Sequence, residues 1–259
     1  MLSLSKARCR ELDHASWKLS VAKSYVLGVK MHNDTLFLYI GPTSYNLELS
    51  DFIPPSTQVL PPVRRGDIQQ LIEQELPSII VIVDGTYHDF PAVSHVEIKN
   101  ALSLGWQVWG LSSMGAIRAA EMHALGMQGY GSVFQQFVEN EDLPDDYVAL
   151  VHSTETPWFP VSEPLVHLES LLNDAVDLSI LTPEICRQIM EELTNMWFGD
   201  RTVSYLKKRS HVLMNGQNQA LCDLFSQMDK YRLKSRDVVS FFREQPFLTT
   251  RSSHEYPVN

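Results

Sequence analysis

The feature that most constrains the fold is a run of five β-branched aliphatic residues, Ile79–Val83, placed between two predicted helices. An uninterrupted run of this kind is typical of a strand buried on both faces of a parallel sheet. Three other short apolar runs predict strands at Leu36–Ile40, Trp106–Leu111 and Tyr147–Val151. Strands that alternate with helices need crossover connections. The sequence therefore predicts an α/β fold, a three-layer parallel sheet with helices on both faces, followed by a helical C-terminal region.

Apolar positions at helical spacing predict the helices between and after these strands. Pro91 favours a helix start at that residue, and Ser113, Thr182 and Ser235 are predicted N-caps of the helices that follow them. The predicted helices cover Gly66–Leu76, Pro91–Leu104, Met114–His123, Pro164–Val176, Pro183–Phe198, 202–212, 217–231 and 236–243. Residues 54–62 contain four prolines and are predicted to form a loop.

The chain divides into four expected segments. They are an N-terminal extension at 1–35, an α/β core at 36–160, a helical region at 161–245 and a loose tail at 246–259. With 259 residues, the chain can bury a core without disulfide or metal staples. Its three cysteines are widely spaced, which predicts reduced thiols in a cytoplasmic protein. No apolar stretch approaches the ~20 residues that a membrane-spanning helix needs.

Charge is distributed unevenly along the chain. The net charge is −10 and the isoelectric point is about 5.3, which argues against a nucleic-acid partner. Residues 119–200 contain 15 acidic side chains and one basic side chain, Arg187, whereas residues 201–259 contain 10 basic and 5 acidic ones. This asymmetry could steer a charged macromolecular partner, or the acidic segment could be a solvated face.

The carboxyl ends of the predicted strands are where a ligand is expected, because open parallel sheets bind ligands beyond those ends. Each predicted strand is followed by polar residues, which we expect to meet at one edge of the sheet. These tips are Gly41-Pro42-Thr43, Asp84-Gly85-Thr86, Ser112-Ser113-Met114-Gly115 and Val151-His152-Ser153. Together they supply hydroxyls, a carboxylate, an imidazole and a helix N-terminus, the groups that acyl or phosphoryl chemistry needs.

Ser113 lies at a strand-to-helix turn that resembles a nucleophile elbow, although the G-x-S-x-G spacing is absent. The amides of Met114, Gly115 and Ala116 could then face an oxyanion. The alternative is that Ser113 only caps its helix and that the small residues after it allow close packing of helix and sheet.

Four other residues are candidates for the same chemistry. Asp84 could act as a base or an orienting group, or could simply belong to an Asp-Gly turn. His152 is the best-placed general base at a strand tip, and His95 is a second candidate. Arg118 could bind a carboxylate-like group or could pair with Glu121 three residues later. No histidine pair has metal-ligand spacing with a third ligand nearby, so we expect no metal site.

Two stretches around these candidates resemble the core signature of the TfuA-like family. They are Val83-Asp84-Gly85 and Ser113-Met114-Gly115-Ala116-Ile117-Arg118-Ala119-Ala120-Glu121. Further similarity lies at 91–98, 126–131, 145–149, 162–164 and 199–202, so that the resemblance covers roughly 36–205. One departure is that the family commonly has Trp-His-Lys-Glu where this chain has Ser94-His95-Val96-Glu97. If that lysine has a role in the family, this chain lacks it at this position, and Lys99 is the one nearby lysine that could substitute.

The resemblance implies partners and a reaction. TfuA-like proteins accompany YcaO enzymes, which activate a peptide amide with ATP, and the joint product is a backbone thioamide. The implied sulfur source is a ubiquitin-like carrier with a C-terminal thiocarboxylate, which the TfuA-like protein hydrolyses. No cofactor is expected for this hydrolysis. The peptide substrate is then a partner only indirectly. The alternative is a non-catalytic adaptor that docks on the YcaO enzyme and activates it. The sequence leaves open whether the protein forms a homo-oligomer.

Together with the resemblance, the residue-level analysis gives a hypothesis for the roles of the site residues. The catalytic candidates are Ser113, Asp84, His152 and His95. The substrate-binding candidates are Gly115, Ala116, Arg118, Glu121, Gly85 and Glu163.

Overall fold

The computed structural model describes residues 35–86, 90–214, 216 and 218–249. The predicted N-terminal extension lies outside these residues except for Thr35, and so does the predicted tail from residue 250 onward. Nothing in the described part of the chain separates the α/β core from the helical region, because a helix from the latter covers one face of the sheet.

The centre of the fold is a parallel sheet of five strands, as the sequence predicts for the fold class. Its strands are β1 (Leu36–Tyr39), β2 (Thr57–Leu60), β3 (Ile79–Ile82), β4 (Gln107–Leu111) and β5 (Gln128–Tyr130). Their order in the sheet is β2-β1-β3-β4-β5, and every neighbouring pair is parallel. β3 lies in the middle and is buried throughout, which confirms the interpretation of the aliphatic run.

Two secondary-structure predictions, one loop and one strand, are wrong. β2 lies inside the segment 54–62 that the sequence predicts to be a loop, because the prolines flank the strand in pairs and leave Thr57–Leu60 free to pair with β1. The predicted strand at Tyr147–Val151 does not exist: a 3-10 turn covers Asp145–Tyr147, and the edge beside β4 is occupied by β5. β5 has three residues, with Gly129 at its centre, and such a short strand has no periodic signal.

Ten helices surround this sheet in the described residues. They are α1 (Asp67–Gln74), α2 (His95–Ser103), α3 (Met114–Met122), α4 (Ser132–Glu139), α5 (Leu165–Asp177), α6 (Pro183–Thr194), α7 (Val203–Leu213), α8 (Gln219–Ser226), α9 (Leu233–Glu244) and α10 (Pro246–Thr249). The predicted helix at 217–231 is in fact α8 followed by a 3-10 turn at Met228–Tyr231.

The caps show why two helices begin elsewhere than predicted. α2 starts after Ser94, which forms a reciprocal capping box with Glu97, and not at Pro91. α9 starts at Leu233, ahead of the predicted cap Ser235, whose hydroxyl instead donates to the Thr43 carbonyl at 2.8 Å. The predicted cap of α6 is confirmed, because the Thr182 hydroxyl oxygen accepts the Ile185 amide at 3.3 Å.

The two faces of the sheet are covered by different parts of the chain. Helices α1, α2 and α3 pack on one face. The other face is covered by α9 through Val238, Phe241 and Phe242, joined by Phe247 of α10. The first residues of the predicted loose tail are therefore packed on the core, and the last long helix is part of the α/β structure. The remaining helices pack around α3 and α5 in a third cluster.

Candidate functional site

A cavity of about 350 Å³ lies at the carboxyl edge of the sheet. It lies where the strand order reverses between β1 and β3, the switch point at which doubly wound sheets bind ligands. Four of the residues predicted from the sequence line it together: Asp84, Gly85, Ser113 and His152. The cavity is also lined by Pro42, Arg64, Thr86, Phe90, Met114, Val148, Trp158, Phe198 and Lys234, among others.

Ser113 lies at the end of a strained turn between β4 and α3. Its neighbour Ser112 is fully buried with a φ of +68°, a left-handed conformation that non-glycine residues rarely adopt. The Ser112 hydroxyl donates to the Lys234 carbonyl at 2.8 Å and so ties this turn to α9. Ser113 is the N-cap residue of α3 by position, but the side-chain capping that the alternative assigns to it is absent, because its side chain makes no capping hydrogen bond. Ser113 is instead a half-buried side chain on the cavity wall.

The first turn of α3 touches the sheet more closely than a side chain would allow. A Cβ atom on Gly115 would lie 1.8 Å from the Ile82 carbonyl oxygen, and one on Gly110 would lie 2.1 Å from the Gly115 carbonyl oxygen. The Gly115 amide donates to the Val83 carbonyl at 3.2 Å, and the Ala116 amide donates to the Ser113 carbonyl at 2.9 Å. The expectation that these two amides face an oxyanion is therefore wrong, since both are bonded within the protein.

Asp84 is a buried carboxylate that holds the end of β1 in place. One of its oxygens accepts the amides of Gly41 at 2.8 Å and Thr43 at 2.9 Å, and the other accepts the Thr43 hydroxyl at 2.7 Å. With three donors already bound, Asp84 is suited to orienting the cavity wall more than to accepting a proton.

His152 faces the cavity from an irregular segment instead of the predicted strand. Its Nδ1 lies 2.7 Å from the Ser153 carbonyl oxygen. Because a carbonyl only accepts, Nδ1 must carry a proton, which leaves Nε2 of the neutral ring as the acceptor that a general base needs. The ring also packs edge-on against Trp158, another cavity residue.

Three other predicted site residues form a separate surface cluster. His95 Nε2 lies 2.8 Å from a Glu121 carboxylate oxygen, and Arg118 pairs with the same oxygen at 2.6 Å. Arg118 also donates to the Val93 carbonyl. The i,i+3 pair between Arg118 and Glu121, one of the two alternatives for the arginine, is therefore present. None of the three residues lines the cavity beneath Ser113.

The segment between Asp84 and Thr202 has a counterpart among known proteins. Residues 84–202 match the family model described as TfuA-like protein. Over this segment the chain is similar to the TfuA-like family. A comparison with curated proteins finds no match. The family is associated with thioamidation and with YcaO systems, and the matched segment of this chain carries Asp84, Ser113 and His152 on the cavity.

Beside the cavity, the protein buries a set of charged side chains that sequence reasoning missed, apart from Glu163. Lys234 is 2% exposed, and its Nζ donates to the Val148 carbonyl at 3.0 Å. Glu163 pairs with Arg232 at 2.7 Å and lies 3.1 Å from Nδ1 of His167. Lys234 and Arg232 lie beyond the matched segment, in and next to a helix whose start was misplaced, so no local pattern marked them as buried.

His167 is held in its neutral form by two opposite partners. Nδ1 donates to the charged Glu163 carboxylate, while Nε2 accepts the Lys234 amide at 3.4 Å. A second ring proton would have to displace that amide. Burial accordingly lowers the pKa of His167 to about 4, although Glu163 acts in the opposite direction. The pKa of Glu163 is also lowered, since His167 and Arg232 together outweigh the effect of its burial.

This buried histidine predicts that the protein loses stability in acid. The unfolded chain, with an ordinary histidine pKa of 6.5, binds the proton before the folded protein does. The free energy of unfolding should therefore fall as the pH drops from about 6.5 to about 4, by about 3 kcal/mol. In His167→Gln this fall should largely disappear, whereas His211→Gln, at an exposed histidine of α7, should retain it. Urea unfolding at pH 7 and pH 4 measures both, and an unchanged pH dependence in His167→Gln would contradict this account.

Two absences hold for the part of the chain that the structure describes. No group of three or more His, Cys, Asp or Glu side chains there is placed to hold a metal ion. None of the helices in the same part of the chain is long and apolar enough to cross a membrane.

Proposed function

We propose that this protein hydrolyses the C-terminal thiocarboxylate of a ubiquitin-like sulfur carrier and so supplies sulfur for YcaO-dependent thioamidation of a peptide backbone. The observation that carries the proposal is the cavity at the switch point, where Ser113, His152 and the buried Lys234 line one space. The association of the TfuA-like family with thioamidation supports the substrate class. The free thiols of Cys186 and Cys222 accord with a reaction in the cytoplasm.

In the proposed reaction, Ser113 attacks the acyl carbon of the thiocarboxylate or positions the water that attacks it. His152 Nε2 accepts the proton of the attacking hydroxyl. His152 then returns this proton to the sulfur, and the carbon–sulfur bond breaks so that the sulfur leaves with the bonding electron pair as hydrosulfide. If Ser113 is acylated, water cleaves the ester in a second step. In both cases one thiocarboxylate and one water yield one carboxylate, one hydrosulfide and one proton.

The remaining cavity residues have supporting roles in this reaction. Asp84 orients the wall formed by the end of β1 through its bonds to Gly41 and Thr43. Gly85 keeps the cavity open beside Met114, because a Cβ atom on Gly85 would lie 2.6 Å from the Met114 side chain. The Met114 amide, at the first position of α3, remains as a candidate donor to the developing oxyanion.

The experiment that tests the proposal mixes the purified protein with a thiocarboxylated ubiquitin-like carrier and measures sulfide. Release in the absence of any YcaO enzyme and of ATP is the expected result. No release under these conditions, together with stimulation of YcaO turnover by the Ser113→Ala protein, would support the adaptor and overturn the hydrolase.

Replacement of His152 by asparagine separates the roles of the two ring nitrogens. The asparagine amide can donate to the Ser153 carbonyl as Nδ1 does, but nothing replaces the Nε2 acceptor. We therefore expect His152→Asn to fold normally and to release sulfide about 100-fold more slowly. The matched control is His123→Asn, since the exposed His123 makes a similar Nδ1 contact with the Ala120 carbonyl at 3.1 Å but lies outside the cavity. Equal rates for the two variants would remove His152 from the mechanism.

A further inference from the structure

Lys234 is a buried amine that faces the cavity with most of its donors unused. The Nζ of a charged lysine has three N–H donors, and among the described residues only the Val148 carbonyl accepts one of them. Burial lowers the pKa of Lys234, although Asp84 and Glu163 act in the opposite direction, and no carboxylate of the described residues lies within ion-pair distance of Nζ. A buried cation with so few partners is costly unless another group compensates it.

The backbone of Lys234 is fixed on both sides of the residue. Its carbonyl accepts the Ser112 hydroxyl at 2.8 Å, and its amide lies 3.4 Å from His167 Nε2. The next residue, Ser235, donates to the Thr43 carbonyl at the end of β1. The first turn of α9 is thus attached to the Ser113 turn, to α5 and to the wall that Asp84 orients. Such a position is preorganised for a ligand, because little freedom remains to be lost on binding.

We infer that Lys234 binds the anionic acyl group of the substrate, a carboxylate or thiocarboxylate, inside the cavity. The inference rests on the proposed function for the choice of the acyl anion. It also reassigns the anion-binding role that the sequence suggested for Arg118, which lies outside the cavity. The only other cation on the cavity wall among the described residues is Arg64, an exposed side chain stacked on Phe90 at 4.0 Å.

The chemistry of the reaction gives this lysine a clear task. A thiocarboxylate already carries a negative charge, so attack by a hydroxyl produces an intermediate with additional negative charge on oxygen and sulfur. A cation beside the oxygen offsets part of that charge, and it does so most strongly where water is excluded. Lys234 is therefore expected to contact the reacting group, while Ser112, His167 and Ser235 position it.

The test measures anion binding separately from turnover. Wild-type protein is titrated with N-acetylglycine, a minimal acyl carboxylate, and with N-acetylglycinamide, its uncharged analogue, and amide signals of Gly85 and Met114 are followed by NMR. We expect saturable shifts with the carboxylate only. Lys234→Met should bind it at least about tenfold more weakly, and Lys230→Met, at an exposed lysine just before α9, should bind as the wild type does.

Folding is controlled by thermal unfolding and by the NMR spectrum of each variant. If Lys234→Met does not fold, Lys234→Gln keeps a donor for the Val148 carbonyl without the charge, and we expect the same loss of binding. Wild-type affinity in either folded variant would overturn the inference. Carboxylate binding that depends on Lys234, with no sulfide release by the wild type, would leave the inference standing and remove the proposed function. Sulfide release that is unchanged in Lys234→Met would overturn the inference and leave the proposed function standing.

Discussion

Ser113→Ala should lose about 1,000-fold in the rate of sulfide release from a thiocarboxylated carrier. The substitution removes the one hydroxyl at the β4–α3 turn that faces the cavity, since the neighbouring Ser112 hydroxyl is buried and bonded to the Lys234 carbonyl. Because the Ser113 side chain makes no capping hydrogen bond, its loss should change the free energy of unfolding by less than about 0.5 kcal/mol. The variant therefore separates activity from stability.

The matched control is Ser103→Ala, at an exposed serine that ends α2 and lies outside the cavity. It should release sulfide at the wild-type rate. Full activity in Ser113→Ala would show that the serine is neither a nucleophile nor a water-positioning group. A large loss of stability in the same variant would mean that the Ser113 side chain holds the turn together, which contradicts its lack of a capping hydrogen bond.

Gly115→Ala should destabilise the protein by more than about 3 kcal/mol, a substantial part of the 5–15 kcal/mol that is usual for a domain. The added Cβ would meet the Ile82 carbonyl oxygen at 1.8 Å and the Ile82 carbonyl carbon at 2.6 Å. Both atoms belong to the backbone of the central strand, so neither can move away as a flexible side chain would. Helix α3 would have to retreat from the sheet and take Ser113 with it.

Gly126→Ala is the control for Gly115→Ala. Gly126 has a φ of +101°, but nothing lies within 4 Å of the position its Cβ would take. Only the backbone conformation resists the substitution, at a cost of about 1 kcal/mol. Urea unfolding of the two variants should therefore differ by at least about 2 kcal/mol. Equal losses would mean that the contact between Gly115 and Ile82 relaxes more easily than its backbone atoms suggest.

The sequence revealed the parts of the fold whose signals are local. The Ile79–Val83 run identified the central strand, and the polar residues after it located the edge at which the cavity lies. The strand predicted around Val151 is absent, yet His152 still reaches the cavity, because an irregular segment crosses the same edge. The two edge strands were missed because each has only three or four residues, which carry little periodicity. Proline pairs flank β2, and β5 contains a glycine.

The rest of the site depends on contacts between residues far apart in the chain. Lys234 reaches the cavity only because α9 packs on the sheet through Val238, Phe241 and Phe242. Helical periodicity predicts that α9 has an apolar face but does not say which surface that face covers. Arg118 illustrates the reverse case, since its position in the signature suggested a ligand contact and tertiary packing placed it with Glu121 and His95 instead.

Oxygen-18 labelling shows whether this cavity cleaves an acyl–sulfur bond with water. The purified protein is incubated with a thiocarboxylated ubiquitin-like carrier in oxygen-18 water, without a YcaO enzyme or ATP, and the carrier's C-terminus is analysed by mass spectrometry while sulfide is quantified. We expect one labelled oxygen in the new carboxylate for each sulfide released, and no detectable amount of either product with Ser113→Ala over the same time. A carrier that keeps its sulfur until the YcaO enzyme and ATP are added would contradict it.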